Sequence, residues 1–106
     1  MNTARISISP DIVKDIARLT TLATPGVVGL AEAPPSVLHR SPPKGVDVEM
    51  IGELARITLH ITAATDQSLP VLGATIKRNI SEAVEEIAGI KVESISVSFE
   101  DVRIAA

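Results

Sequence analysis

Residues 46–62 decide the fold of this chain, and they read VDVEMIGELARITLHIT. Val46, Val48 and Met50 alternate with charged residues, and after a Gly-Glu pair at 52–53 aliphatic residues again take every second position. Successive side chains point to opposite faces of a strand, and a two-residue glycine turn joins antiparallel neighbours. The stretch therefore predicts a β-hairpin with one aliphatic face, which must meet the rest of the core.

Two amphipathic helices are predicted, one on either side of this hairpin. Ser9-Pro10-Asp11 starts the first helix, because serine caps well and proline suits the first helical position. Thr24-Pro25-Gly26 ends it. Its buried stripe is predicted to be Ile12, Ile16, Leu19 and Ala23, with Val13 and Thr20 beside it. The second helix ends at Gly89. Its predicted stripe is Leu69, Leu72, Ile76, Ile80, Ala83, Val84 and Ile87.

Strands are also predicted near both ends of the chain. Residues 5–9 alternate polar and apolar and predict a short N-terminal strand, whereas residues 27–30 predict an extended segment that packs onto the core. The last strand carries Ile95, Val97 and Phe99 on one face. Val92 and Val102 break this alternation, so we expect a bulge or a strand boundary near each end. Four prolines in residues 31–44 predict a stiff, exposed loop.

This order of elements predicts an α+β protein. The expected architecture is a two-layer β-α-β-β-α-β sandwich, a mainly antiparallel sheet with two helices on one face. A ferredoxin-like split βαβ arrangement satisfies the right-handed crossover rule, and another strand order with the same two layers stays open. A chain of 106 residues is expected to be a single domain, residues 1–106.

Composition argues against several classes of function. Apolar residues make up 45% of the chain, but there is one aromatic residue, Phe99, and no cysteine. The lack of cysteine excludes disulfides, thiolate catalysis and cysteine-based metal sites. A formal charge of −3 does not favour nucleic acid or a polybasic membrane anchor. No apolar run approaches the ~18 residues that span a bilayer, and residues 1–9 lack the apolar region of a signal peptide.

Few side chains could perform chemistry. His39 and His60 are the only histidines, and a zinc site would need more ligands near them. For His60 we expect, at most, a cross-strand pair with Asp47 or Glu49. The GVVG segment at 26–29 lacks the basic residue of a KH phosphate-gripping loop, and no Walker phosphate loop exists. We therefore expect no enzyme, no catalytic residue, no cofactor, no metal and no nucleic acid.

The polar face of the sheet is the candidate interface. If the hairpin and the last strand are neighbours, their short polar side chains form one flat, hydroxyl-rich surface suited to stacking against another sheet or chain. The candidate residues are Arg56, Thr58, His60, Thr62, Ser94, Ser96 and Ser98. An ordinary solvated surface is the alternative. Exposed strand edges offer a second route to partners, by β-augmentation.

Several segments, in order, resemble the alkaline shock protein family, also called the envelope stress response family. They are the strand at 6–9, the Pro-Gly-Val-Val-Gly run at 25–29, Lys44-Gly45-Val46, Leu69-Pro70 and residues 87–92. The resemblance covers almost the whole chain. It implies a small, non-enzymatic cytoplasmic bacterial protein linked to cell-envelope stress, in a family where some members sit beneath the membrane through a membrane-anchored relative. The proline-rich loop, Arg56 and His60 depart from the usual family pattern.

The residues and the resemblance together favour a scaffold or interaction protein. We expect it to form a homo-oligomer or to bind a membrane-anchored partner, without inserting into the membrane itself. The alternative is a small-ligand-binding regulatory module, which fold analogy alone supports. An RNA-binding module is opposed by the acidic balance and the lack of stacking aromatics.

Overall fold

The computed structural model describes residues 6–32, 45–64 and 66–104. Over these residues the chain forms two helices and four strands. Their bounds are α1 Pro10–Leu22, β1 Val27–Leu30, β2 Val46–Ile51, β3 Leu54–Ala64, α2 Leu69–Ala88 and β4 Lys91–Arg103.

The hairpin forms as predicted. β2 and β3 pair antiparallel, with Val46 opposite Leu59 and Ile51 opposite Leu54. Gly52 has a φ of 61°, and Glu53 has a negative φ. A positive φ at only the first of two turn residues is the requirement of a type II′ turn, which glycine meets without strain. The turn therefore fixes which residues of β3 face inward.

β3 is the central strand of the sheet. Along one edge it pairs antiparallel with β2 and then with β1, whose Leu30 lies opposite Ile61. Along the other edge it pairs parallel with β4, from Leu54 opposite Lys91 to Ala64 opposite Arg103. Parallel neighbours need a crossover, which α2 provides. Two of the three pairings among the described strands are antiparallel, in agreement with a mainly antiparallel sheet.

Two bulges in β4 confirm the expected irregularities. The register with β3 shifts by one residue at Glu93 and again at Glu100. Each bulge inserts one extra residue into β4. Val92 is therefore opposite Ala55, and Val102 is opposite Ala63, which are both inward-facing core residues. The extra residue at each bulge explains why the alternation in the sequence breaks there.

The core lies between the sheet and both helices. Its central row is the inward side of β3: Ala55, Ile57, Leu59, Ile61 and Ala63. Buried residues of α1 and α2, among them Val13, Ala17, Ile76 and Ile80, belong to the same cluster. Each fully buried aliphatic side chain stabilises the fold by roughly 1.5–3 kcal/mol. Both helices thus cover one face of the sheet, which confirms the two-layer α+β class.

The prediction of an N-terminal strand is wrong. Residues 6–9 form no strand, and Ile6 is 85% exposed. Alternation alone does not make a strand without a partner, and the edge of β3 beside residues 61–63 is taken by β1. The observed order is therefore α-β-β-β-α-β, with the strand after α1 in place of the strand before it. Arg5 lies outside the described residues.

The predicted stripe of α1 is rotated relative to the observed one. The buried residues are Val13, Ile16, Ala17 and Thr21, whereas Ile12 and Leu19 are exposed. Threonine can be buried here because the Thr21 hydroxyl donates to the Ala17 carbonyl at 2.7 Å. A buried hydroxyl without such a partner would cost free energy.

The stripe of α2 is confirmed at Leu72, Ile76, Ile80 and Val84, which are buried. Leu69 and Ala83 are partly buried against this core. Ile87 is the exception, since it is 70% exposed in the last turn of the helix, one turn beyond the last buried residue.

The predicted proline-rich loop at 31–44 lies outside the described residues, apart from Ala31 and Glu32. His39 lies in that part as well. The Ala31 amide donates to the His60 carbonyl at 2.8 Å, which continues the β1 pairing by one more bond.

Candidate functional site

The outer face of the sheet, defined as the side of β3 and β4 away from the helices, brings six of the seven candidate residues together. Arg56 lies opposite Ser94, Thr58 opposite Ser96 and His60 opposite Ser98. Between the two bulges, these three cross-strand pairs follow one another along the outer face. The structure therefore places these six polar residues in two neighbouring rows.

Thr62 does not share this surface. It is 6% exposed and lies opposite Asp101, beyond the second bulge. Gly29 of β1 pairs with it on the other side. Alternation predicts the face to which a residue points, but it gives no information on how closely neighbouring segments enclose it.

The outer face is also wider than predicted. Asp47 lies opposite Thr58, and Glu49 lies opposite Arg56. Both carboxylates are exposed. The alternation that predicts the hairpin already places them on this side, so the signal was available. They add acidic groups along one border of the hydroxyl rows.

The first bulge places a carboxylate beside Arg56. Glu93 Oε2 accepts a hydrogen bond from Arg56 Nε at 2.8 Å. This hydrogen bond, followed by the attraction of the two charges, raises the pKa of the Arg56 guanidinium. Both side chains are 39–50% exposed, and exposed pairs of this kind contribute little to stability. The contact instead fixes the direction of the arginine.

The second bulge places a carboxylate beside His60. Glu100 Oε1 accepts a hydrogen bond from the Ser98 hydroxyl and lies 3.0 Å from His60 Nδ1. The Ser98 hydrogen bond and then the His60 contact hold the pKa of Glu100 below its ordinary value. The predicted pairing of His60 with Asp47 or Glu49 is therefore wrong. Simple alternation of side chains does not account for the extra residue of a bulge, so it could not identify Glu100 as the partner of His60.

His60, Ser98 and Glu100 form a hydrogen-bonded group in which the Glu100 carboxylate is the shared acceptor. The Ser98 hydroxyl donates to a carboxylate, so the imidazole does not face it as a base. The described residues contain no group of three or more histidine, cysteine, aspartate or glutamate side chains that could hold a metal ion. The outer face thus carries short hydroxyls with a polar or charged pair at each end.

Known proteins resemble this chain at the level of sequence and of fold. The profile of the alkaline shock protein 23 family, described as having a cell envelope-related function, matches residues 1–104. This chain belongs to that family. The resemblance seen in the sequence is confirmed, and the family's function is cell envelope-related.

Solved structures of the MamM C-terminal domain share the fold of this alkaline shock family member. A double variant that exchanges a histidine and a glutamate has a TM-score of 0.55 at 16% identity, covering 91% of this chain and 86% of that one. A histidine-to-alanine variant has a TM-score of 0.55 at 19% identity, covering 90% and 99%. A methionine-to-leucine variant has a TM-score of 0.54 at 20% identity, covering 88% and 96%. At such identity the likeness shows the fold alone.

No curated protein sequence matches the chain. Neither helix in the described part of the chain has the length and apolar character needed to cross a bilayer.

Proposed function

We propose that this alkaline shock family member is a non-enzymatic scaffold, linked to cell-envelope stress, that associates through the outer face of the sheet. It acts as a single domain, residues 1–106, in the cytoplasm. It forms homo-oligomers or binds a membrane-anchored partner. The observation that carries this proposal is the row of three cross-strand pairs on a face that neither helix covers.

The side chains of this face suit association with another flat surface. Serine and threonine are short and have few rotamers to lose on binding, in contrast to lysine or glutamate. Ser94 and Ser96 are exposed, and Thr58 and Ser98 are half-buried. A surface that is ordered before binding gains affinity because less freedom is lost on contact.

Charged groups at both ends of the hydroxyl rows would orient the partner. Arg56 with Glu93 stands at one end, and His60 with Glu100 stands at the other. Complementary charges fix register and exclude wrong partners more than they add affinity. The formal charge of −3 opposes direct adsorption to an anionic bilayer, so proximity to the membrane would come through the partner.

Analytical ultracentrifugation of the full chain and two matched variants tests the self-association. Ser96→Arg places a long cation in the centre of the outer face, whereas Ser7→Arg makes the same change at an exposed position before α1. We expect the wild type and Ser7→Arg to associate with rising concentration. Ser96→Arg should weaken association about tenfold or more, because burying an unpaired charge is costly.

Binding to an anchored partner is tested by crosslinking the membrane fraction of stressed cells. The proposal is wrong if the wild type stays monomeric at every concentration and no crosslinked partner is retained.

A further inference from the structure

A second surface lies along the open edge of β4. The described strands pair with β4 along one side only, through β3. Beside the other side, α2 and β4 enclose a groove of about 400 Å³. The groove is lined by Leu69, Pro70, Gly73, Ala74, Lys77, Val97 and Phe99. It lies on the helical side of the sheet and is separate from the outer face.

The edge beside this groove is unprotected in its central part. Natural edge strands are usually guarded by charges, prolines or bulges, because their free amides and carbonyls invite another strand. In β4 the charges and both bulges stand outside residues 94–99. Residues 94–99 read SISVSF and contain no charge, proline or glycine. Among the described residues, no strand other than β3 pairs with this window, so its outward amides and carbonyls can bond to an added strand.

Gly73 of α2 faces Phe99 in the lining of the groove. A Cβ atom at Gly73 would stand 3.6 Å from the Phe99 ring, at ordinary contact distance, and would meet nothing closer. Glycine inside a helix is less stabilising than alanine. A residue of low helix propensity therefore stands where a side chain would begin to fill the groove. It lies next to Phe99, the one aromatic residue of the chain.

The charge at the groove favours a different protein over a second copy of this chain. Lys77 is the one charged residue in the lining, and it takes part in no ion pair with the rest of the described chain. If two β4 edges paired, both grooves would flank the same junction and bring two lysines to it. Like charges at an interface are unfavourable, whereas an acidic residue would neutralise Lys77.

We propose that this groove binds an extended segment of another protein by β-augmentation. The segment adds as a strand to the edge at residues 94–99, places alternate apolar side chains against Val97, Gly73 and Phe99, and directs an acidic residue to Lys77. Backbone hydrogen bonds supply affinity in this mode, and pockets for alternate side chains supply specificity. This site is additional to the outer face, and its failure would leave the outer-face proposal standing.

Selection of random peptides displayed on phage against the full-length chain tests this proposal. We expect enrichment of peptides that alternate apolar residues and carry an acidic residue. A selected peptide should protect backbone amides within 94–99 from hydrogen exchange. It should bind Gly73→Leu at least tenfold more weakly than the wild type, because the new side chain fills the groove.

Three controls separate groove filling from unfolding and from charge in general. Gly73→Ala should raise the melting temperature and still weaken binding several-fold, a combination that damage to the fold cannot produce. Lys77→Glu should reverse the preference from acidic to basic versions of the same peptide. Thr58→Arg, on the outer face, should leave binding unchanged.

The proposal is overturned by any of three results: no enriched peptide, equal binding to the wild type and Gly73→Leu, or protection only of amides outside residues 94–99. Dimerisation that depends on concentration and is lost in Gly73→Leu would also overturn it, since a second copy would then be the occupant.

Discussion

The two faces of β3 share one backbone and differ in almost every other respect. On the inner face, Ile57, Leu59 and Ile61 are at most 1% exposed and pack against both helices. On the outer face, Arg56 is exposed and His60 is half-buried, and they contact the bulge carboxylates Glu93 and Glu100. We propose that residues one position apart in the same strand serve stability and recognition separately.

This separation has a consequence for mutation. Substitutions on the inner face should change the free energy of unfolding, and substitutions on the outer face should change association while leaving the fold intact.

Adjacent residues of β3 provide the strongest contrast. Leu59→Ala should lower the free energy of unfolding by about 2–5 kcal/mol, because it removes buried aliphatic atoms and leaves a cavity. Thr58→Ala, one residue away on the outer face, should cost less than about 1 kcal/mol. Urea denaturation of both variants measures the difference. Equal losses would show that the outer face is buried by something and is not a free surface.

The hairpin turn sets which residues face inward, so its glycine should matter more than another glycine of the sheet. Gly52→Ala places a side chain at a φ of 61° and should cost about 1–2 kcal/mol. Gly29→Ala is the control, since its φ is not in the left-handed region and a Cβ there would likewise meet open space. It should change stability by less than about 1 kcal/mol. Thermal unfolding measures the loss of stability in both variants. Equal losses would contradict the view that the positive φ at Gly52 causes the effect.

The smallest expected effect is the dependence of stability on pH that Glu100 contributes. Its folded pKa lies below the unfolded value. The stabilisation is therefore present above the unfolded pKa and is lost as the pH falls through the lowered folded pKa. The difference in urea midpoint between the wild type and Glu100→Gln should shrink as the solution is acidified over that range.

Ser98→Ala sharpens the same test, because the Ser98 hydroxyl is the largest cause of the lowered pKa. Carboxyl carbon NMR should show the pKa of Glu100 returning toward its ordinary value in this variant. An unchanged pKa would mean that the hydroxyl and carboxylate do not interact in solution.

Side-chain alternation made much of the sheet predictable. It located the hairpin, and the irregular spacing around Val92 and Val102 predicted a bulge or a strand boundary near each end, where the two bulges lie. It also identified six residues of the outer face. These features depend on local periodicity, which a sequence records directly.

Features that depend on partners distant in the chain were not predictable in the same way. The segment at 6–9 alternates like a strand, but it forms no strand in the structure. The buried side of α1 is the side that joins the common core with α2 and β3, and the contacts of Glu93 and Glu100 follow from bulge geometry. In each case three-dimensional contacts decide between alternatives that the sequence leaves equal.

Photo-crosslinking in living cells tests the central claim most directly. A photoreactive residue is placed at Ser96 on the outer face or at Ser7 before α1, and the cells are exposed to envelope stress. The account predicts crosslinked species from position 96, either with a second copy or with a membrane-fraction protein, and none from position 7. It is contradicted if position 96 yields no crosslinked species, or if both positions yield the same products.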